Sequence, residues 1–120
     1  MRPHEKLKVW QRGVDLVLAT YKATASFPRE ERFGLTSQIR RAAVSIPANI
    51  AEGAARDSQK EFTYFPSNAQ GSASELETEL LIAKRLGCLD STNYSTMRNE
   101  IDGLGRMILG LSQSIKRKRA

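Results

Sequence analysis

Apolar residues recur at intervals of three and four in four separate stretches of this chain, the period of helices that each bury one side. The last stretch is the strictest. Tyr94, Met97, Ile101, Leu104, Ile108, Leu111 and Ile115 alternate by three and four over three heptads, a seam of the kind that packs against a neighbouring helix. Asp90 or Ser91 is placed to cap its start. The organising stretch, Gly34 to Phe62, carries Leu35, Ile39, Ala42, Ala43, Ile46 and Ile50 on one face of a second helix. Beside them runs a polar stripe of Gln38, Arg41, Ser45, Asn49, Glu52 and Arg56. Ser58 to Glu61 then reads as a capping box that opens a third helix, which closes before Gly87. Phe62, Phe65, Ala69, Ala73, Leu76, Leu80 and Ala83 form its core face. The first helix spans about Leu7 to Thr24, with Leu7, Trp10, Val14, Val17, Leu18 and Tyr21 as its inward side. Short links make successive helices antiparallel neighbours. The pattern therefore predicts an all-α, antiparallel up-down-up-down four-helix bundle as a single domain over 1–120, with about 1–6 and 116–120 flexible.

Prolines punctuate that pattern. Pro28 pushes Phe27 out of helical geometry and ends the first helix. Pro47 removes a backbone donor inside the second helix and crowds the carbonyl of Ala43. Either two short helices meet there or one helix kinks. The apolar stripe keeps its phase across the proline, which favours a helix two kinked at Pro47. Pro66 lies past the first turn of the third helix, where a bend or a local loss of hydrogen bonding is expected.

The opposite faces are apolar too. Val9 and Leu16 on the first helix, Val44, Ala48, Ala51 and Ala55 on the second, and Tyr64, Ile82 and Leu86 on the third all fall opposite the assigned core stripes. Monomers seldom expose a contiguous apolar patch beyond a few hundred Å². These residues, with Gly71 allowing close backbone approach, predict a cyclic homo-oligomer built by head-to-tail contact.

Charge suggests a partner. The net charge is +6, with eleven Lys/Arg against six Asp/Glu in residues 1–60 and four against seven in 61–115. Lys116, Arg117, Lys118 and Arg119 close the last helix, and Lys6, Lys8 and Arg12 crowd the start of the first. In an up-down bundle these two groups share one end, where their charges would add and contact phosphates without reading sequence. Structured RNA is the favoured ligand, and RNA or DNA is the partner class. The alternative is a homo-oligomeric protein-interaction scaffold whose charge is incidental. Stacking aromatics on the basic end are not evident.

Catalytic chemistry finds little support. The one histidine, His4, precludes a di-iron carboxylate site, a Ser–His pair or a Cys–His pair within the bundle. The single cysteine, Cys88, excludes an intrachain disulfide and reads as a packing residue. No enzyme, metal or cofactor is expected. The polar stripe reads as a structural network, with Arg41 paired to Glu75 or Glu79, and Ser45 and Asn49 satisfying backbone groups near Pro47, Glu52 completing it. Functional use as a partner contact is the other reading. No signal peptide or membrane span is apparent, so a cytoplasmic protein is expected.

Leu7-Lys-Val-Trp10-Gln, Phe27-Pro28, Phe33-Gly-Leu-Thr-Ser-Gln-Ile-Arg-Arg-Ala-Ala43, Ser45-Ile-Pro-Ala-Asn-Ile-Ala-Glu-Gly53, Glu61-Phe62, Gly71-Ser72, Glu75-Leu76 and Leu86-Gly87 occur in the order and spacing of one family. The chain resembles the four-helix-bundle proteins encoded within intervening sequences of bacterial 23S ribosomal RNA genes. The resemblance covers residues 7 to about 115, and departs from the family pattern at Pro66-Ser67-Asn68. It implies an antiparallel four-helix bundle assembled as a pentamer. A related branch of the family serves as the nucleic-acid-binding accessory protein of the reverse transcriptase in diversity-generating retroelements, which adds a reverse transcriptase or another protein to the partners implied.

Overall fold

The computed structural model describes the backbone of residues 2–56 and 59–119 and the side chains of residues 2–56 and 64–117. Four α-helices hold the fold: α1 Lys8–Thr24, α2 Leu35–Ala54, α3 Gln59–Arg85 and α4 Ser91–Arg119. No strand occurs among the described residues. α1 packs on α2 and α4, and α3 packs on α2 and α4, so the contacts close around one shared core in a molecule about 48 Å long and 20 Å across. The length follows from α4, whose 29 residues rise about 43 Å at 1.5 Å each.

α4 buries the seam its spacing announces: Tyr94, Met97, Ile101, Leu104, Ile108 and Ile115 are in the interior, with Leu111 partly covered. Its start is capped by Asp90, whose Oδ1 accepts the backbone N–H of Asn93 at 2.7 Å while Oδ2 accepts from the Asn93 side chain at 2.9 Å. The preceding turn is fixed by Gly87, at φ +82°, a conformation that suits glycine. The N–H groups of Gly87 and Cys88 reach back to the carbonyls of Lys84 and Ala83, closing the end of α3.

Both internal prolines lie inside unbroken helices. α2 runs through Pro47 and α3 through Pro66. The two-helix alternative at Pro47 is therefore set aside. Each ring is buried, so the apolar packing of the ring offsets the lost backbone donor. The Ser58 capping box and the Phe62 side chain lie outside the described residues. Pro3–Lys6, read from sequence as loose, form one 3-10 turn, with His4 edge-on to Trp10 at 4.8 Å. The α4 helix likewise continues to Arg119.

α1 departs most from the sequence reading. Its buried positions are Val9, Gly13, Leu16, Thr20 and Thr24, while Leu18 and Tyr21 face outward. Val9 and Leu16, expected on an outward interface, are core residues at 6% and 3% exposure. Two local facts turn the helix. Gly13 faces Pro47 so closely that a Cβ there would sit 3.2 Å from the proline Cβ. Thr20 and Thr24 bury polar side chains by returning their hydroxyls to the carbonyls of Leu16 at 2.7 Å and Thr20 at 2.9 Å. Once their hydroxyls are satisfied locally, the threonines pack as small β-branched residues.

Candidate functional site

The connection from α1 to α2 and the first turns of α2 enclose an open groove of about 570 Å³. Tyr21 from α1, Arg32 and Phe33 from the connection, and Thr36, Ser37, Arg40, Arg41, Val44 and Ser45 from α2 line it. A smaller recess on the other side of Arg32, Thr36 and Arg40 adds Arg29, so four guanidinium groups surround the two.

Local structure places each part. A 3-10 turn at Arg29–Glu31 reverses the chain after Pro28. Glu31 then turns back, its Oε1 accepting the backbone N–H of Leu35 at 3.1 Å and so capping α2, which begins after Gly34. This leaves Phe33 at the apex with 88% of its surface exposed and the Arg32 guanidinium 5.2 Å from its ring centre. Arg40 is held more firmly. Its Nε donates to Thr24 Oγ1 at 2.9 Å, its Nη2 reaches the Tyr21 carbonyl at 3.5 Å, and its plane lies 4.4 Å from the centre of the Tyr21 ring. Thr36 is buried at the groove wall, and its hydroxyl has no hydrogen-bond partner among the described residues.

The polar stripe on α2 leads away from this groove. Asn49 donates to the Ser45 carbonyl at 2.8 Å and to Ser45 Oγ at 2.9 Å, and Ser45 Oγ shares a hydrogen bond with Ser72 Oγ at 2.8 Å across to α3. Glu52 is exposed. The expected ion pair of Arg41 with Glu75 or Glu79 is absent among the described residues. Glu79 is buried instead, and its pKa rises from 4.5 to about 7. Burial is the main cause, followed by the hydrogen bond and the negative charge of Glu75, with Arg41 opposing.

Of the terminal cations, Arg12 is not brought to the end of α4. Arg12 forms an ion pair with Glu100 at 3.4 Å, which sets it level with a point about a third of the way along α4. Lys116 lies 16 residues further along, about 24 Å of helix. That exceeds the screening length of about 8–10 Å near physiological salt, so Arg12 and Lys116 are screened from one another. Lys6, Lys8, Lys116 and Arg117 are exposed, whereas the side chains of Lys118 and Arg119 lie outside the described residues. Of the expected interface residues, Val44, Ala48, Ala55, Tyr64, Gly71, Ile82 and Leu86 are exposed and Ala51 is half-buried.

Among the described residues no group of His, Cys, Asp and Glu is arranged to hold a metal ion, and no helix is long and apolar enough to cross a membrane. The arrangement at the groove instead suits a negatively charged, planar ligand. Sequence reasoning misses it because its aromatic and basic parts come from three elements that only folding joins. The run Arg32-Phe33, a cation beside an aromatic in a link, is the available signal.

A family model described as 23S rRNA-intervening sequence protein matches residues 5–110. The chain belongs to this family. The crystal structure of a protein of unknown function from the S23 ribosomal protein family of Bacteroides thetaiotaomicron has the same fold. It superposes with a TM-score of 0.78 at 21% identity, over 87% of this chain and 97% of that one. No curated protein matches the chain.

Proposed function

We propose that this intervening-sequence family member is a non-enzymatic, oligomeric accessory protein that binds nucleic acid, structured RNA in preference. The observation that carries this reading is the groove at the start of α2, where four guanidinium groups and two aromatic rings meet in the open. Arg29, Arg32, Arg40 and Arg41 would meet phosphates there. The cations from Lys116 to Arg119 would give a second, independent phosphate-binding patch on α4. An accessory role would join the nucleic acid to a protein partner, a reverse transcriptase among the candidates.

Such a protein would be a bundle whose successive helices run antiparallel, with α2 bent at Pro47. Cross-helix contacts support the direction: Gln70 meets Gly105 and Glu77 meets Arg98, so residue numbers rise on α3 as they fall on α4. It would also be a cyclic homo-oligomer, five-membered by family resemblance.

A second reading, a scaffold for protein contacts, is favoured by Val44, Tyr64, Ile82 and Leu86, each 42–65% exposed on α2, on α3 and just past its end. Salt-titrated filter binding with unrelated structured RNAs separates the two. The nucleic-acid reading expects binding at low salt that weakens steeply as salt rises. Neutralising residues 116–119 should lower the slope by about one for each phosphate that the variant no longer neutralises. Absence of binding at low salt refutes the nucleic-acid reading. Light scattering that returns a monomer mass refutes the oligomer.

A further inference from the structure

Nucleic-acid binding by itself leaves open what the α2 groove recognises. We infer that it takes an unpaired nucleotide of a strand, with the base stacked on Phe33 and the adjoining phosphate held by Arg32, Arg40, Arg41 and Thr36. This rests on the reading of the protein as nucleic-acid-binding and assigns the ligand of one site within it.

Four features of the groove converge on that ligand. Phe33 leaves 88% of its surface open, on a link held from both sides by the turn after Pro28 and by the Glu31 cap. A large ring kept in water on an ordered turn offers a stacking platform, and base–aromatic stacking works with any base. In a duplex the base faces are already stacked on their neighbours, so an exposed ring selects nucleotides that are free of that stack.

The charged side chains that line the groove are all cationic, although Glu30 and Glu31 share the link. Arg32, Arg40 and Arg41 line the groove and Arg29 stands beside it. The Glu31 carboxylate, on the same link, is occupied with the N–H of Leu35. On α3, outside the groove lining, Glu75 and Arg41 both act on Glu79, whose carboxyl is buried. Arg40 is pre-positioned by Thr24 and Tyr21, which hold its Nε and one terminal nitrogen and leave the rest of the fork for an anion. A guanidinium ordered before binding loses less freedom when it takes up a phosphate.

Thr36 supplies the independent sign of a ligand. It is 7% exposed, it lines both the groove and the adjoining recess, and its hydroxyl has no partner among the described residues. Buried hydroxyls are nearly always hydrogen-bonded. It stands in the first turn of α2, where the backbone N–H groups other than that of Leu35, which Glu31 holds, favour an anion. A phosphate oxygen would meet the open N–H groups, and would reach the covered Thr36 hydroxyl as that side chain rotates into the groove.

The test compares a short single-stranded oligoribonucleotide with a blunt duplex of the same composition, by fluorescence anisotropy at low salt. Phe33→Ala removes an exposed ring and so leaves folding intact. It should weaken the single strand about five- to hundred-fold and leave the duplex within about twofold. Arg32→Gln, also exposed, should weaken the single strand and reduce its salt slope. If wild type binds duplex but no single strand, or if Phe33→Ala weakens both alike or neither, the groove assignment is wrong while nucleic-acid binding stands. If neither ligand binds wild type, both fall. Competition by adenosine monophosphate as strong as by the oligonucleotide overturns the assignment to a strand. A change of solution mass in Phe33→Ala overturns it too, since the ring would then serve a second copy of the chain.

Discussion

Glu79 is a buried carboxyl whose protonation reports on packing between α2 and α3, and Glu79→Gln isolates it. Its pKa stands at about 7 in the folded chain against 4.5 when free. Between those values the folded state binds more protons than the unfolded state, so stability falls as pH rises through the window. Below it the carboxyl is protonated in both states and the effect vanishes; above it the penalty is complete. At 1.36 kcal/mol per unit the difference bounds the penalty at about 3 kcal/mol. Relaxation of Arg41 toward the carboxylate brings the expected loss to about 1–3 kcal/mol between about pH 5 and pH 8. Glutamine keeps the shape and the hydrogen-bonding capacity but cannot ionise. The variant should therefore be the more stable chain near pH 8, by about that amount, and nearly equal to wild type near pH 4. Urea unfolding followed by helical circular dichroism, at one fixed protein concentration, measures both. A wild-type stability flat across the window, or a variant that keeps the same slope, would refute the reasoning.

Two further substitutions test the packing and the caps. Gly13→Val should destabilise by about 1–3 kcal/mol or more, because a side chain there meets the rigid Pro47 ring, and thermal unfolding should show a lowered midpoint. Asp90→Ala should cost about 1 kcal/mol by removing the acceptors for Asn93, with urea titration as the measure.

How much of this is legible in sequence differs by helix. α4 is readable because every position of its seam is large and apolar and nothing competes for the phase. α2 is readable because its stripe keeps one phase across Pro47, and Ala42 and Ala43 within it are buried. In α1, apolar residues occupy most directions, and the true face includes a glycine and two threonines. Hydrophobicity alone then selects Leu18 and Tyr21, which are exposed, over Thr20 and Thr24, which are buried. What decides the phase is a contact with Pro47 on another helix, information that no local period contains. The groove is hidden similarly. Arg41 is visible in sequence only as part of a stripe, and periodicity places Tyr21 in the core. Arg32 and Phe33 sit in a connection, so their approach is a product of tertiary structure. Ser72 belongs to the family pattern, yet its bond to Ser45 needs α3 to be in place.

The meeting of Gly13 and Pro47 also determines where along its axis α1 can sit. The threonine hydroxyls of α1 donate within their own helix, and each donated bond looks the same one turn up or down; the bond that Thr24 accepts from Arg40 is the exception. Those donated bonds would tolerate sliding. The notch at Gly13 would not. A shift of one turn toward either end presents Val9 or Val17 to the proline ring, and each carries two methyl groups beyond a Cβ that the observed fit already crowds. A single missing side chain thus acts as an alignment key between two otherwise slippery surfaces. It also sets the height at which Tyr21 meets Arg40, and so whether the wall of the groove is assembled at all.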